Sequence, residues 1–307
     1  MYESFQVVSA EKKTVVQGYH WACQEPRAVL QVAHGMAEHL LRYQNFAEFL
    51  TEHRIVVIGH DHLGHGKTAE SGTLGYFHDS TVEHGLVKDM FRITQWGKEQ
   101  YPGLPYFILG HSMGSFVLRN YLYTYGQEID GAILVGTGQQ PTWLTALGKN
   151  TAAVLSKIQG EKHPSKLIDV LAFGSMNRKI QNKRTDKDWL VTLPTEVNAY
   201  LADKDCGFLF TLSGYRELFS LIISSQDSRL LTMIPTGLPL LFLSGKEDPV
   251  GEYGKGVMKA ASSYRKAGVE NVTVKLYENA RHELLNEKQK EVVFQDICKW
   301  MEKIYRK

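Results

Sequence analysis

Short, nearly continuous apolar runs alternate with amphipathic stretches along most of this chain, and that alternation narrows the available folds more than any other feature. VLQVA (29–33), IVVI (55–58), YFILG (106–110), AILVG (132–136), LPLLFLSG (238–245) and VTVKLY (272–277) are short and rich in β-branched residues. Runs of this kind are what strands look like when a parallel sheet buries them on both faces. Between them YQNFAEFLTEH (43–53), LVKDMFRITQWGKEQ (86–100), SFVLRNYLYTYG (115–126), GVMKAASSYRKAG (256–268) and KEVVFQDICKWMEKIY (290–305) carry helical spacing. Strand and helix in turn predict an α/β fold, a doubly wound and mostly parallel central sheet flanked by helices. At the start, YESFQVVSA and KTVVQGYHW alternate with period two and predict an antiparallel hairpin leading into that sheet.

The alternation stops between Gly138 and Thr236, a stretch too long for a structureless loop in a compact domain. WLTALGKNTAAVLSKI (143–158), SKLIDVLAF (165–173) and FTLSGYRELFSLIIS (210–224) read as amphipathic helices, and charged NRKIQNKRTDKD (177–188) reads as a solvated connector. The expected organisation is a core in two parts, 1–137 and 237–307, interrupted by a helical insertion at 138–236.

FILGHSMGS (107–115) places Gly110, His111, Ser112, Met113 and Gly114 where a strand ends and a helix begins. In that context G-x-S-x-G reads as a nucleophile elbow: the serine occupies a sharp turn, and the glycines on either side let strand and helix approach closely. A serine hydroxyl needs a base, and the base needs an orienting carboxylate. Asp248 follows the apolar run 238–245, and His282 follows 272–277, in the order the fold requires. Glu247 is the neighbouring acid; the DPV that follows the turn favours Asp248. This chemistry requires no cofactor.

Taken together, HGMAEH, HDHLGHGKT, GHSMGS, DPVG and RHE resemble the monoacylglycerol lipase and lysophospholipase group of α/β hydrolases, which overlaps a group labelled serine aminopeptidases. The likeness runs in order from about residue 29 to the C-terminus. It implies an α/β-hydrolase fold whose helical lid occupies the insertion, with the backbone N–H groups of Met36 and Met113 as oxyanion donors. His34, Gly35 and the Asp61-x-x-Gly64-His65-Gly66 turn would brace the backbone beside them. Lys67-Thr68 departs from the serine that many relatives carry after that turn.

Three histidines in HDHLGHG, His60, His62 and His65, also raise the question of zinc. A metallo-β-lactamase-type site would want H-x-H-x-D-H, and Gly64 stands where its aspartate belongs, so no metal is expected there. The 35 basic and 33 acidic residues leave a net charge of +2 with no basic stripe, which excludes nucleic acid as an expected partner. Cys23, Cys206 and Cys298 are too few and scattered for a disulfide framework or a cysteine-based zinc site and read as free thiols, packed or idle, in a reducing compartment. The N-terminus does not read as a signal peptide and no apolar run is long enough to span a bilayer, so a cytoplasmic protein is expected.

The expected reaction is hydrolysis of carboxylic esters of single-chain lipids, monoacylglycerols or lysophospholipids, through an acyl-enzyme. A transient contact of the lid with a membrane surface is compatible with it, and the sequence carries no signal for oligomeric state. The same constellation would serve a short-chain esterase, a thioesterase or an aminopeptidase. An aminopeptidase would want carboxylates free to hold the substrate's amine, for which Glu38, Asp203 and Asp205 are candidates. A non-catalytic ligand-binding member of the fold need not keep all three of Ser112, Asp248 and His282.

Overall fold

A computed structural model describes residues 1–69, 72–77 and 84–306. In chain order the elements are β1 (Glu3–Val8), β2 (Val15–Trp21), β3 (Ala28–Ala33), α1 (Gln44–Glu52), β4 (Ile55–His60), α2 (Gly85–Gln100), β5 (Tyr106–His111), α3 (Met113–Tyr125) and β6 (Gly131–Val135). Then follow α4 (Thr142–Gln159), α5 (Lys166–Phe173), α6 (Pro194–Ala202), α7 (Leu212–Ser224), α8 (Ser228–Leu231), β7 (Leu240–Gly245), α9 (Lys255–Lys266), β8 (Val272–Tyr277) and α10 (Lys290–Tyr305).

The strands form an eight-stranded sheet in the order β1-β2-β4-β3-β5-β6-β7-β8. β1, β2 and β4 pair antiparallel, and from β4 to β8 every pairing is parallel. The central strands are buried at every position, because helices cover both faces. On β4, Val56 and Ile58 pack with Met90 of α2 and Val117 of α3, whereas Ile55 and Val57 pack with Phe46 and Leu50 of α1 and Ile297 of α10. The period of two thus divides one strand between two cores. Exposed β1 alternates instead, as an edge does.

Five helices, α4 to α8, separate β6 from β7. α6 and the short α8 lie outside the stretches whose spacing predicts helix. The charged stretch 177–188 is less solvated than its composition predicts: Asn177 and Asp188 are buried, with Asn177 donating to the Thr185 carbonyl at 2.7 Å and Asp188 accepting from the Arg184 N–H at 2.5 Å and the Thr185 hydroxyl at 2.7 Å. Arg119 of α3, itself fully buried, ties the helical segment's two ends to the core, donating to the carbonyls of Gly138 at 2.7 Å and Ser225 at 2.9 Å. Among the described residues no helix is long and apolar enough to cross a membrane.

Candidate active site

Ser112 lies between β5 and α3 with φ 50° and ψ −117°, a conformation that side chains other than glycine adopt only under constraint. The constraint is visible in its neighbours. A Cβ on Gly110 would stand 2.4 Å from the Gly114 carbonyl oxygen, and one on Gly114 would stand 2.2 Å from that of Ala33, so strand, helix and the loop after β3 meet with no room for a side chain. The Ser112 N–H donates to the Val135 carbonyl at 3.0 Å, and its own carbonyl accepts from the Ser115 N–H at 2.9 Å.

Asp248 follows β7 and His282 follows β8, and both are buried. His282 Nδ1–H donates to the Asp248 carboxylate, 3.1 Å from each oxygen. Asp248 is held in turn by the Val250 N–H at 2.8 Å and the Ser244 hydroxyl at 3.4 Å. Glu247 points elsewhere and faces Arg281 at 3.8 Å. Gly136, at φ 60°, has to be glycine for a second reason: a Cβ there would come within 2.9 Å of the His282 ring. Ser112 and His282 line one cavity together with Gly35, Met36 and Met113. With Asp248 fixing the Nδ1 proton, Nε2 of His282 is the ring nitrogen left to act as a base.

The loop after β3 is pinned on both sides of Met36. The Gly35 N–H donates to Glu38 Oε1 at 2.6 Å and the Ala37 N–H to His65 Nε2 at 3.2 Å, leaving the Met36 N–H as the donor between them. Met113 is the first residue of α3, where an N–H has no partner within the helix. His34 Nδ1–H donates to the Gly35 carbonyl at 2.8 Å, and its Nε2 accepts from the His62 N–H at 3.0 Å. Asp61 accepts from the Leu40 N–H at 2.9 Å and the Lys67 N–H at 2.8 Å, fixing the turn after β4 against the same loop.

The rings of His34 and His65 are thus wired into the backbone, whereas those of His60 and His62 meet each other and each keeps one buried nitrogen without a partner among the described residues. Burial, reinforced by the His65 imidazole, pushes His60 down to about 3, and burial pushes His65 to about 4, so these rings are neutral and can accept from N–H groups. His62 Nδ1 meets His60 Nε2 at 3.1 Å, and His34, His60, His62 and His65 make no convergent set of metal donors.

A buried ionic network beside the cavity was not legible in the sequence. Glu38 accepts from Tyr43 at 2.9 Å, from Arg42 at 2.7 Å and from His111 at 3.1 Å, while Arg42 makes a two-pronged pair with Glu283 at 2.8 and 2.7 Å. His111 Nε2 faces the His282 carbonyl at 3.4 Å, so both of its ring nitrogens point at acceptors. Burial opposes charge on His111, but the hydrogen bond and charge of Glu38 outweigh it and raise His111 above the usual range. Burial likewise opposes the Glu38 carboxylate, and His111 with Arg42 holds it well below the usual range. Two carboxylates thus face a guanidinium and an imidazole whose protonated form they favour, and removing Arg42 alone would strand buried charge at a cost of about 3–5 kcal/mol.

The cavity encloses about 390 Å³, within the range of small-molecule sites. Beyond the polar end at Ser112 its wall is largely apolar, with Leu144 and Leu147 of α4, Leu171 of α5 and Leu218, Phe219 and Ile222 of α7. From the stretch 208–223, Phe208, Leu209, Leu218, Phe219 and Ile222 line the cavity, and Leu218, Phe219 and Ile222 also belong to the buried core cluster, with Phe210, Leu212, Tyr215 and Leu221. One segment therefore both packs the fold and walls the site.

The family described as Serine aminopeptidase, S33, matches residues 24–289. The monoglyceride lipase of Homo sapiens is 28% identical over 284 residues, covering 90% of this chain and 82% of that protein. The monoacylglycerol lipase of Mycolicibacterium smegmatis is 26% identical over 281 residues, covering 90% and 89%. Among solved structures, a highly thermostable carboxyl esterase from Bacillus coagulans in complex with glycerol matches with a TM-score of 0.92 at 28% identity, covering 99% of each chain.

Proposed function

Because the chain belongs to the Serine aminopeptidase, S33, family of α/β hydrolases and is a carboxylic ester hydrolase, we propose that it cleaves esters of single-chain lipids, monoacylglycerols or lysophospholipids, at Ser112. Ser112 Oγ attacks the ester carbonyl while His282 Nε2 takes its proton, and Asp248 holds the imidazole and stabilises the imidazolium. The N–H groups of Met36 and Met113 receive the developing oxyanion. The tetrahedral intermediate expels the alcohol, which leaves with the proton from His282. Water, deprotonated by the same nitrogen, then releases the acid and restores Ser112.

The observation that carries the substrate class is the cavity: an apolar chamber reached from Ser112 and built from α4, α5 and α7, the segment we read as a lid over the core. An acyl chain fits such walls, and burial of each methylene there is worth about 0.8 kcal/mol. Also on α4, Trp143 (71% exposed) and Ile158 (75%) stand outside that lining and present apolar surface. We read that surface as resting on lipid when substrate enters.

Carboxylates committed to other partners weigh against the aminopeptidase reading. Of the acids lining the cavity, Glu38 and Glu283 are taken by Arg42 and its neighbours and Asp169 accepts from Tyr215 at 2.9 Å; Asp203, paired with His39 at 2.9 Å, and Asp205 stand outside that lining. The test is kcat/KM across glycerol monoesters of rising acyl length, with Ser112→Ala as the blank. Values that climb with chain length support the lipid reading; a preference for the shortest esters overturns it in favour of a small-ester esterase.

A further inference from the structure

The turn after α6 meets the loop that carries Met36. There the Gly207 N–H and the Tyr200 hydroxyl both donate to the Ala37 carbonyl at 2.9 Å. At the same seam His39, Asp203 and Cys206 bring an imidazole nitrogen, a carboxylate oxygen and a thiol sulfur within 4.8 Å of one another. Among the described residues this is the one convergence of three such donors, and it is made of residues 164 or more positions apart on the two sides of the seam. We propose that His39, Asp203 and Cys206 form a zinc site, separate from the ester-cleaving centre, that staples the helical segment to the loop bearing Met36.

The donor set is the first argument. One sulfur, one nitrogen and one oxygen suit Zn²⁺ better than the harder Mg²⁺ or Ca²⁺, which prefer oxygen ligands throughout. Geometry is the second. Tetrahedral zinc, with bonds of about 2.0–2.3 Å, sets its ligand atoms roughly 3.3–3.7 Å apart. His39 Nε2 and Asp203 Oδ2 now stand 2.9 Å apart, so the ion replaces one hydrogen bond by opening the pair a few tenths of an ångström. The Asp205 N–H holds the other Asp203 oxygen at 2.9 Å and so fixes the carboxylate's orientation.

Access and charge also fit. The side chains of His39 and Asp203 are 15% and 33% exposed, so an ion and a water as fourth ligand can arrive from solvent, while Cys206 closes the inner side. The thiol proton leaves to solvent as the zinc–sulfur bond forms, and thiolate and carboxylate together balance the two charges of the ion. Arg42, close by, is itself paired with Glu38 and Glu283.

The test uses the full chain stripped of metal, titrated with ZnCl₂ by calorimetry and followed by thermal melting, with Co²⁺ as a spectroscopic probe. The expected result is one equivalent bound, a Tm that rises with free Zn²⁺, and a thiolate-to-Co²⁺ charge-transfer band. Cys206→Ser should abolish the band and weaken Zn²⁺ at least tenfold, and His39→Asn should weaken it similarly. Cys23→Ser and Cys298→Ser should leave both unchanged. Absence of stoichiometric binding, or binding that survives Cys206→Ser and His39→Asn undiminished, overturns the proposal. Because the readouts are binding and melting, this outcome is independent of the ester assay.

Discussion

Substituting Gly114 by alanine tests how closely the nucleophile turn and the oxyanion loop depend on one another. The added Cβ would lie 2.2 Å from the Ala33 carbonyl oxygen, 2.5 Å from that of His34 and 2.7 Å from the Ala33 carbonyl carbon. A carbon–oxygen contact settles near 3.3–3.6 Å, so the loop after β3 or the start of α3 has to give by about 1 Å. Every obstructing atom is backbone, and the loop is already pinned at Gly35 and Ala37, so the displacement is passed to Met36. A shift of that size at a catalytic constellation costs about 10²-fold, and loss of one oxyanion donor about 10²–10³-fold. We therefore expect kcat on a short soluble ester to fall about 10²–10³-fold with KM little changed. Stability moves less: alanine gains about 1 kcal/mol of helix propensity, and overpacking costs about 1–3 kcal/mol, so Tm falls slightly. Steady-state kinetics and thermal melts read both. A variant within about threefold of wild-type kcat would refute the claim that this contact positions the donor.

Asp248→Asn should keep the fold while lowering kcat about 10⁴-fold at neutral pH, because an amide no longer selects the His282 tautomer with its proton on Nδ1; unchanged turnover would remove Asp248 from the mechanism. Asp89 gives a pH dependence away from the site. Burial raises this carboxyl to about 6, against hydrogen bonds from the Ala10 N–H and the Ser9 hydroxyl that lower it. Because its pKa is raised on folding, the fold binds the proton more tightly than the unfolded chain, and stability falls as pH rises from about 4 to about 6. Above that window the penalty is about 3 kcal/mol. Denaturant melts across pH should show this slope in wild type and lose it in Asp89→Asn; an identical slope in both would contradict the assignment.

Local patterns made the fold and the three site candidates legible. The apolar runs and the helical periods are each complete within ten or fifteen residues, and β3 to β8 occur where the runs predict, with α4 to α8 filling the gap at 138–236. Ser112, Asp248 and His282 each sit at the end of a strand, where a short motif can announce them. The network of Glu38, Arg42, His111 and Glu283 has no such signal, since Arg42 and Glu283 are 241 positions apart and only sheet order brings their loops together. HGMAEH and RHE did hold a clue: an acid stands four residues from Arg42 and another directly after His282. Metal-ligand composition is a separate case, because a dense run of donors in sequence need not converge in space. In HDHLGHG the His65 ring bonds to backbone and the His60 and His62 rings meet each other, whereas His39, Asp203 and Cys206, unremarkable in sequence, converge. Trp143, Ile158 and Leu171 illustrate a further limit, because a helical period tells which residues share a face but not whether that face meets core, cavity or solvent.

The central claim is that Ser112 carries a covalent acyl intermediate. The direct measurement is intact-protein and peptide mass spectrometry after exposure to a fluorophosphonate ester, which traps an activated serine stoichiometrically. The account predicts one adduct, on the peptide containing Ser112, absent from Ser112→Ala together with all esterase activity. An adduct on another residue, or ester turnover that persists in Ser112→Ala, would contradict it.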